Sequence, residues 1–445
     1  MKIKLIKKIF NIETLIKFIS WFFTINILIF IIYFLNDRNN EIKKKTNGIF
    51  EKEIIISNNT QRINQLDNYH LTINGSEWRK FIKYVDEIRL LDFLPSEQFK
   101  WFKAMLYFKG ENYKVKIRVR GDFHTHWRGS KRSYRIKFVD KLFDGKEEIN
   151  LIVPWDKDYG IELLQTEISK SIGMLYFPGK FVNLSLNGQN FGSYYESEQP
   201  TYQMLERLGY PASSIFTFNS NWTSFRLKSG AYLDYDRDGR YIKKINQDYV
   251  HIKHRNTFDK KNIISAKSQL SRVIYLVNII DKSNIEEARK IIPQLINLDN
   301  FAKYIALQYF FGSYHATNLG DNTRLYFNPT NGLFEFIPWD MALMSIDKKY
   351  INGSIKNLDD EYLSDAFKFI LDVSPKLFQK RNDFLIQMIK NRDKYSNRLK
   401  SIHSNLRELY PQEKLLFEKS IKLEKIFEEN MKTLSSLFEF QTILN

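Results

Sequence analysis

The stretch WFKAMLYFKGENYKVKIRVRG, residues 101–121, alternates apolar and polar side chains on both sides of a glycine turn. Successive side chains of a strand point to opposite faces, so this pattern marks two half-buried strands, with Gly110-Glu111-Asn112 as the hairpin signal. SYRIKF (133–138) alternates in the same way, and KFVNLSLNGQNFGSYYESE (180–198) supplies two further strands about a turn at Asn187-Gly188. Helical spacing appears around Glu77 to Leu91, and again from Tyr159 to Ile172, where Ile161, Leu164, Ile168 and Ile172 share a stripe. A short strand is expected at Ile54-Ile55-Ile56. Later, Asp299 is a candidate N-cap for FAKYIALQYFF, which stops at Gly312. NTRLYFNPTNGLFEFIPWD reads as a hairpin turned at Pro329 to Gly332, and residues from about 360 to 445 carry helical periodicity. The expected class is α+β, with a strand-rich N-terminal lobe and a helical C-terminal part.

Bulk properties narrow the chemistry. A chain of 445 residues with 43% hydrophobic and 15% aromatic content can bury a large core. It has no cysteine, which excludes disulfides, thiolate zinc sites and cysteine nucleophiles. The net charge of +17 could attract lipid, nucleotide or an acidic polymer, but Lys is abundant throughout the chain. No compact Arg-rich stripe or nucleic-acid motif is present, so no specific nucleic-acid binding is expected.

The run FISWFFTINILIFIIYFL, residues 18–35, holds no charge and as a helix would measure about 27 Å. It is longer than the apolar core of a signal peptide and lacks a small-residue cleavage site. The expectation is a single transmembrane helix in the lipid bilayer, after a basic segment 1–17 and before a polar tether 36–52. Lys2, Lys4, Lys7, Lys8 and Lys17 precede the span, whereas Arg38 and Lys43 to Lys45 follow it. The bias is small and leans towards an extracytoplasmic body.

Four constellations could carry chemistry. IRVRGDFHTHWRGSKRSYRIKF gathers Arg118, Arg120, Arg128, Lys131, Arg132, Arg135 and Lys137 around a turn, able to hold phosphate or simply a solvated basic hairpin. Lys137, between Ile136 and Phe138, is the one expected to face a cleft. His124 and His126 lack a third metal ligand. In LNGQNFGSYYESEQ, Glu196 and Glu198 fall on one strand face, as a cleft partner or as edge protection. DYDRDGR opens like a calcium loop with Asp234, Asp236, Asp238 and Gly239, but its twelfth position is Ile245 in place of a bidentate Glu, so an acidic turn is the better account. Finally, SYHATNLGDNTRLYFNPTNGLFEFIPWD sets His315, Asn318, Asp321 and Asn322 in a loop and ends a hairpin on Asp340. That inventory suits one base and two Mg²⁺ ligands, or a polar loop capping a helix. Pro154-Trp155-Asp156 repeats the Pro338-Trp339-Asp340 triplet. It serves as a control without chemical partners, since a helix follows it.

Taken in order, RGDFHTHWRGSKRSYRIKF, LNGQNFGSYYESEQ, LDNFAKYIALQYFFGSYH and DNTRLYFNPTNGLFEFIPWD resemble the CotH kinase family, an atypical protein-kinase-like group. The resemblance spans about residues 98 to 345. It implies a two-lobed kinase-like body over 53–345, with 346–445 as a helical region packed on it. It further implies use of ATP and Mg²⁺, with Lys137, Arg120, Arg135 and Glu198 on the nucleotide side and Asn322 and Asp340 on metal. A kinase base stands five residues before the metal Asn, where this chain has Thr317, so Asp321, with His315 as substitute, is the expected base. The expected function is a membrane-anchored phosphotransferase acting on a protein or cell-envelope acceptor. The alternative is a binding scaffold for envelope polymer assembly without turnover.

Overall fold

The computed structural model describes residues 66–444 apart from 92–93, 95–97, 122, 219–249, 253–259, 314, 316–321, 347–362 and 412. These residues belong to one compact unit spanning Ile55–Asn445. The expected strand at Ile54 to Ile56 and the turn Asp234 to Gly239 lie outside them.

The N-terminal half is built on β1 (Asp67–Thr72), helix α1 (Gly75–Ile88), β2 (Phe102–Phe108), β3 (Glu111–Val119), β4 (Tyr134–Phe138) and β5 (Glu148–Ile152). Helix α2 (Ile161–Ser171) follows, then β6 (Gly179–Leu186) and β7 (Gln189–Glu198). The strands close into a barrel in the order β1-β2-β3-β4-β5-β7-β6. Neighbours are antiparallel except β1 and β6, whose parallel pairing completes the ring. Closure leaves no unpaired edge. The hairpin turns are as short as the sequence allows. Lys109 and Gly110 both take positive φ between β2 and β3, and Asn187 and Gly188 do so between β6 and β7, the geometry of a two-residue turn matched to strand twist.

Alternation decides which side chains fill the barrel. Val115, Ile117, Ile136, Ile149, Leu151, Val182 and Leu184 are buried together inside it. A one-residue slip of β3 would expose Val115, Ile117 and Val119, each worth about 2 kcal/mol of burial, and drive lysines inward. The register is therefore fixed by sequence. Helix α1 starts at Asn74, whose side chain accepts the Glu77 N–H at 2.9 Å, and buries Phe81, Tyr84, Val85 and Ile88. Phe81 meets Phe102 edge-on at 5.3 Å between centroids.

The second half begins with α3 (Tyr202–Arg207), β8 (Ile215–Phe218) and β9 (Val250–Ile252). Helices α4 (Lys260–Lys282), α5 (Ile285–Ile291) and α6 (Leu298–Phe310) lead to the hairpin β10 (Arg324–Asn328) and β11 (Leu333–Ile337). These strands form a sheet in the order β11-β10-β8-β9. Its β11 edge is closed by α6: the Asn300 side chain accepts the Phe336 N–H at 2.6 Å and donates to the Phe336 carbonyl at 3.2 Å. Phe301 and Tyr304 of α6 pack on Phe336 at 5.0 and 5.1 Å. The cap of α6 is Asn297, which accepts the Asn300 N–H, two residues before the expected Asp299. Asp299 instead lies in the first turn, where its charge suits the helix dipole.

Helices α7 (Asp365–Asp372), α8 (Pro375–Lys390), α9 (Arg392–Leu409) and α10 (Lys414–Leu444) complete the chain. They reach back to the barrel: Lys131 lies 3.6 Å from Glu413, and the Tyr410 hydroxyl donates to Asn183 at 3.3 Å. Gly160, at φ 132°, shows how close this packing is, since a Cβ there would sit 2.6 Å from Ile402.

The α+β class, strand-rich first and helical later, is thus observed. Localisation needs a correction. Among the described residues no helix is long and apolar enough to cross a membrane, so the expected single-pass membrane protein with an extracytoplasmic body is set aside. The apolar run 18–35 on which it rested lies outside the described residues.

Candidate functional site

The two Pro-Trp-Asp turns meet. Strand β5 is buried along its whole length and passes directly into the kinked turn Pro154–Gly160, in which Asp158 and Tyr159 leave helical geometry with φ of 44° and 49°. Strand β11 ends in Pro338-Trp339, and Asp340 follows with φ 55°. Left-handed backbone in non-glycine residues costs on the order of 1 kcal/mol and persists where the surroundings fix it. Here the surroundings are side chains of the other turn. Lys157 forms an ion pair with Asp340 and lies 3.5 Å from Glu162. The Asp340 N–H donates to Glu162. Gln165 accepts the Met341 N–H at 3.2 Å, and Asp158 accepts the Leu343 N–H at 3.2 Å. Helix α2 and the turn before it thereby hold the backbone from 340 to 343.

A second set comes from the β3–β4 connection. Arg120 and His126 each lie 3.4 Å from the Asp156 carboxylate. Gly121 between them, at φ 92°, leaves no room for a Cβ, which would fall 2.0 Å from the His126 ring. A third set follows α6. His315 Nδ1 lies 3.0 Å from the Asp340 carbonyl oxygen and 3.7 Å from its carboxylate. A carbonyl only accepts, so Nδ1 carries the proton of that bond. Asn322 donates to the His315 carbonyl at 3.3 Å, which leaves the amide oxygen as its acceptor group.

The charges sort themselves by environment. The Lys157 side chain is only 1% exposed, and an unpaired ammonium at such depth would cost several kcal/mol. Burial pulls its pKa down, but Asp340 and Glu162 outweigh that and raise it. Burial also opposes ionisation of Asp340, yet the charges of Lys157 and His315, the Lys157 hydrogen bond and Arg120 hold it well below the usual carboxylate range. Burial pushes Glu162 and Asp158 up. Of the two carboxylates beside Lys157, Asp340 is the one whose ionised form its neighbours favour. Asp156 is pushed up to about 6, by burial first and then by Asp340, against Lys157 and Arg120.

Of the residues expected from sequence, Arg120, His315, Asn322 and Asp340 converge here. Asp321 and Asn318 lie outside the described residues. Lys137 does not face a cleft: it projects from the outer wall of the barrel, 47% exposed and 3.3 Å from Glu148. Alternation explains this, because Ile136 takes the interior. Arg135 shares the outer face and donates to Asn150 at 3.1 Å. Glu198 is buried and paired with Arg207, and its neighbour on that face, Glu196, accepts from Lys146 at 2.6 Å.

Sequence reasoning missed Lys157, Glu162 and Asp156. It set Pro154-Trp155-Asp156 aside as a control, but that turn supplies the partners of the other. The available signal was the density of charge in PWDKD directly after the apolar run Leu151-Ile152-Val153, since buried charges must be paired.

Among the described residues no three His, Cys, Asp or Glu side chains gather as a metal site. His126 faces Asp156 in place of a metal. The donors that do exist near Asp340, one carboxylate and one amide oxygen, fit a Mg²⁺ ion that draws most of its ligands from phosphate and water.

The family model described as CotH kinase protein matches residues 117–439. The inner spore coat protein H of Bacillus subtilis (strain 168) is 25% identical over 228 residues, covering 49% of this chain. The chain spans 58% of the length of that relative.

Proposed function

Because the chain belongs to the CotH kinase protein family, we propose that it is an atypical kinase moving the γ-phosphate of ATP to a protein or cell-envelope acceptor. One observation carries the reading: Lys157 and Asp340 from separate turns meet in a buried pair beside Arg120, His315 and Asn322. Phosphoryl transfer needs little covalent chemistry from the protein, only positioning and charge.

In this scheme Lys157 keeps Asp340 ionised and correctly turned. Asp340 and Asn322 would hold Mg²⁺, which would supply positive charge to offset that of the phosphate groups. Arg120 offers N–H groups to phosphate oxygens. Asp156, 22% exposed and with its pKa near neutrality, takes the proton of the acceptor hydroxyl. It takes the role for which the sequence offered Asp321, with His315 as substitute, although the kinase spacing falls on Thr317. His315 orients the Asp340 turn through the carbonyl bond.

The test is transfer of labelled γ-phosphate by the purified chain with Mg²⁺, to itself or to added serine-containing peptides. Transfer that Asp340→Asn removes supports the reading; transfer that Asp340→Asn leaves unchanged defeats the site assignment. A scaffold without turnover is the second reading, favoured by Thr317 at the position five before Asn322. It expects Mg-ATP to raise thermal stability, or an anionic polymer to bind, while no label moves.

A further inference from the structure

The outer wall of the barrel carries a feature that the phosphotransfer site does not use. On β3, Lys114, Lys116 and Arg118 alternate with buried Val115, Ile117 and Val119. Register places Lys103 of β2 and Lys137 of β4 on either side of Lys116, and Arg135 beside Arg118. Lys103, Lys114, Lys116 and Lys137 are exposed, whereas the two arginines are half-buried. The Arg118 guanidinium lies 4.0 Å from the Phe99 ring centroid and 5.3 Å from that of Trp101, and Arg135 donates to Asn150. Three carboxylates border this face. Glu148 lies by Lys137, Asp140 accepts the Lys114 N–H, and Glu77 accepts the Lys103 N–H. Cations therefore outnumber anions across three adjacent strands. The β3 row leads directly into Arg120 at the candidate site.

We propose that the outward face of β2, β3 and β4 is a docking surface for an acidic, extended polypeptide segment of a partner protein. Three observations favour that occupant. Alternate residues on a strand repeat about every 6.8 Å, so an extended chain with acids at alternate positions matches the β3 row charge for charge. The exposed cations are lysines, point charges that suit carboxylates, while both arginine forks are engaged with protein groups. The surface is the outside of a closed barrel, and its Phe99–Trp101 platform is occupied by Arg118, which leaves Tyr107 as the exposed ring of β2. Base stacking, which single-stranded nucleic acid exploits, is thereby weakened. The proposal concerns binding and stands whether or not phosphate is transferred nearby.

The test is fluorescence anisotropy of the full chain with a labelled peptide of alternating Glu and Ser. The triple variant Lys114→Glu, Lys116→Glu, Lys137→Glu changes exposed positions and is expected to weaken binding by about tenfold or more, with wild-type binding falling as salt rises. The control Lys414→Glu, Lys419→Glu, Lys422→Glu makes the same change of net charge on α10 and is expected to bind within about twofold of wild type. Equal loss in both triples, or no loss in the first, overturns the proposal. So does tighter binding of a single-stranded oligonucleotide of equal charge. Asp340→Asn is expected to bind the peptide normally, so failure of the phosphotransfer reading and failure of this one are told apart.

Discussion

Lys157 and Asp340, 183 residues apart in the chain, form one buried ion pair that ties the end of β5 to the end of β11. The pair joins the barrel half to the helical half at the point where Arg120, Asp156, His315 and Asn322 gather. Its geometry leads to several expectations.

Removing the ammonium leaves Asp340 and Glu162 facing each other without compensation. Lys157→Met is expected to lower unfolding free energy by about 3 kcal/mol. A double-mutant cycle with Asp340→Asn, read by denaturant unfolding, should return a coupling of about 1 kcal/mol or more. Additive effects would mean that the two groups act separately.

Asp340 has a depressed folded pKa, so its ionisation stabilises the fold. The sign follows from linkage: the contribution is fully present above the unfolded carboxylate value near 4 and is lost as pH falls through the lower folded value. The stability gap between wild type and Asp340→Asn, measured by urea unfolding, is expected to be constant from pH 7 to about 5 and to shrink below about 4. A gap independent of pH down to acid unfolding would contradict the assignment.

Asp156 moves the other way, up to about 6. As a proton acceptor it works only when ionised, so transfer rate should rise tenfold per pH unit below about 6 and level off above it. Asp156→Asn is expected to abolish that limb and to slow transfer by about 10²-fold or more. The same limb surviving in the variant would move the base elsewhere.

Gly160 combines φ 132° with a Cβ position 2.6 Å from Ile402. Gly160→Ala is expected to cost about 2 kcal/mol or more, seen as a lower unfolding midpoint. Adding Ile402→Ala should recover only the steric share and leave the backbone strain. Full recovery would show that the strain is negligible.

Much of this architecture was legible locally. Strict alternation in residues 101–121 and 133–138 set the strands and their inward faces, because a period of two admits one buried face. Asn187-Gly188 set its turn, because both positions need left-handed backbone. The polar loop before β10 and the carboxylate after β11 were found as His315, Asn322 and Asp340. Lys137, expected to face a cleft, stands instead on the outer wall of the barrel, because Ile136 takes the interior.

The pairing of Asp340 was beyond any local pattern. Pro154-Trp155-Asp156-Lys157 and Pro338-Trp339-Asp340 look alike in sequence, and nothing in either turn says that they face each other. The amino-acid order dictated that Lys157 follows the apolar run Leu151-Ile152-Val153 and, once buried, must find an anion. Only the tertiary structure, with α2 lying along the 340–343 backbone, decided that the anion is Asp340, because the energy of a buried charge depends on what the rest of the chain brings to it.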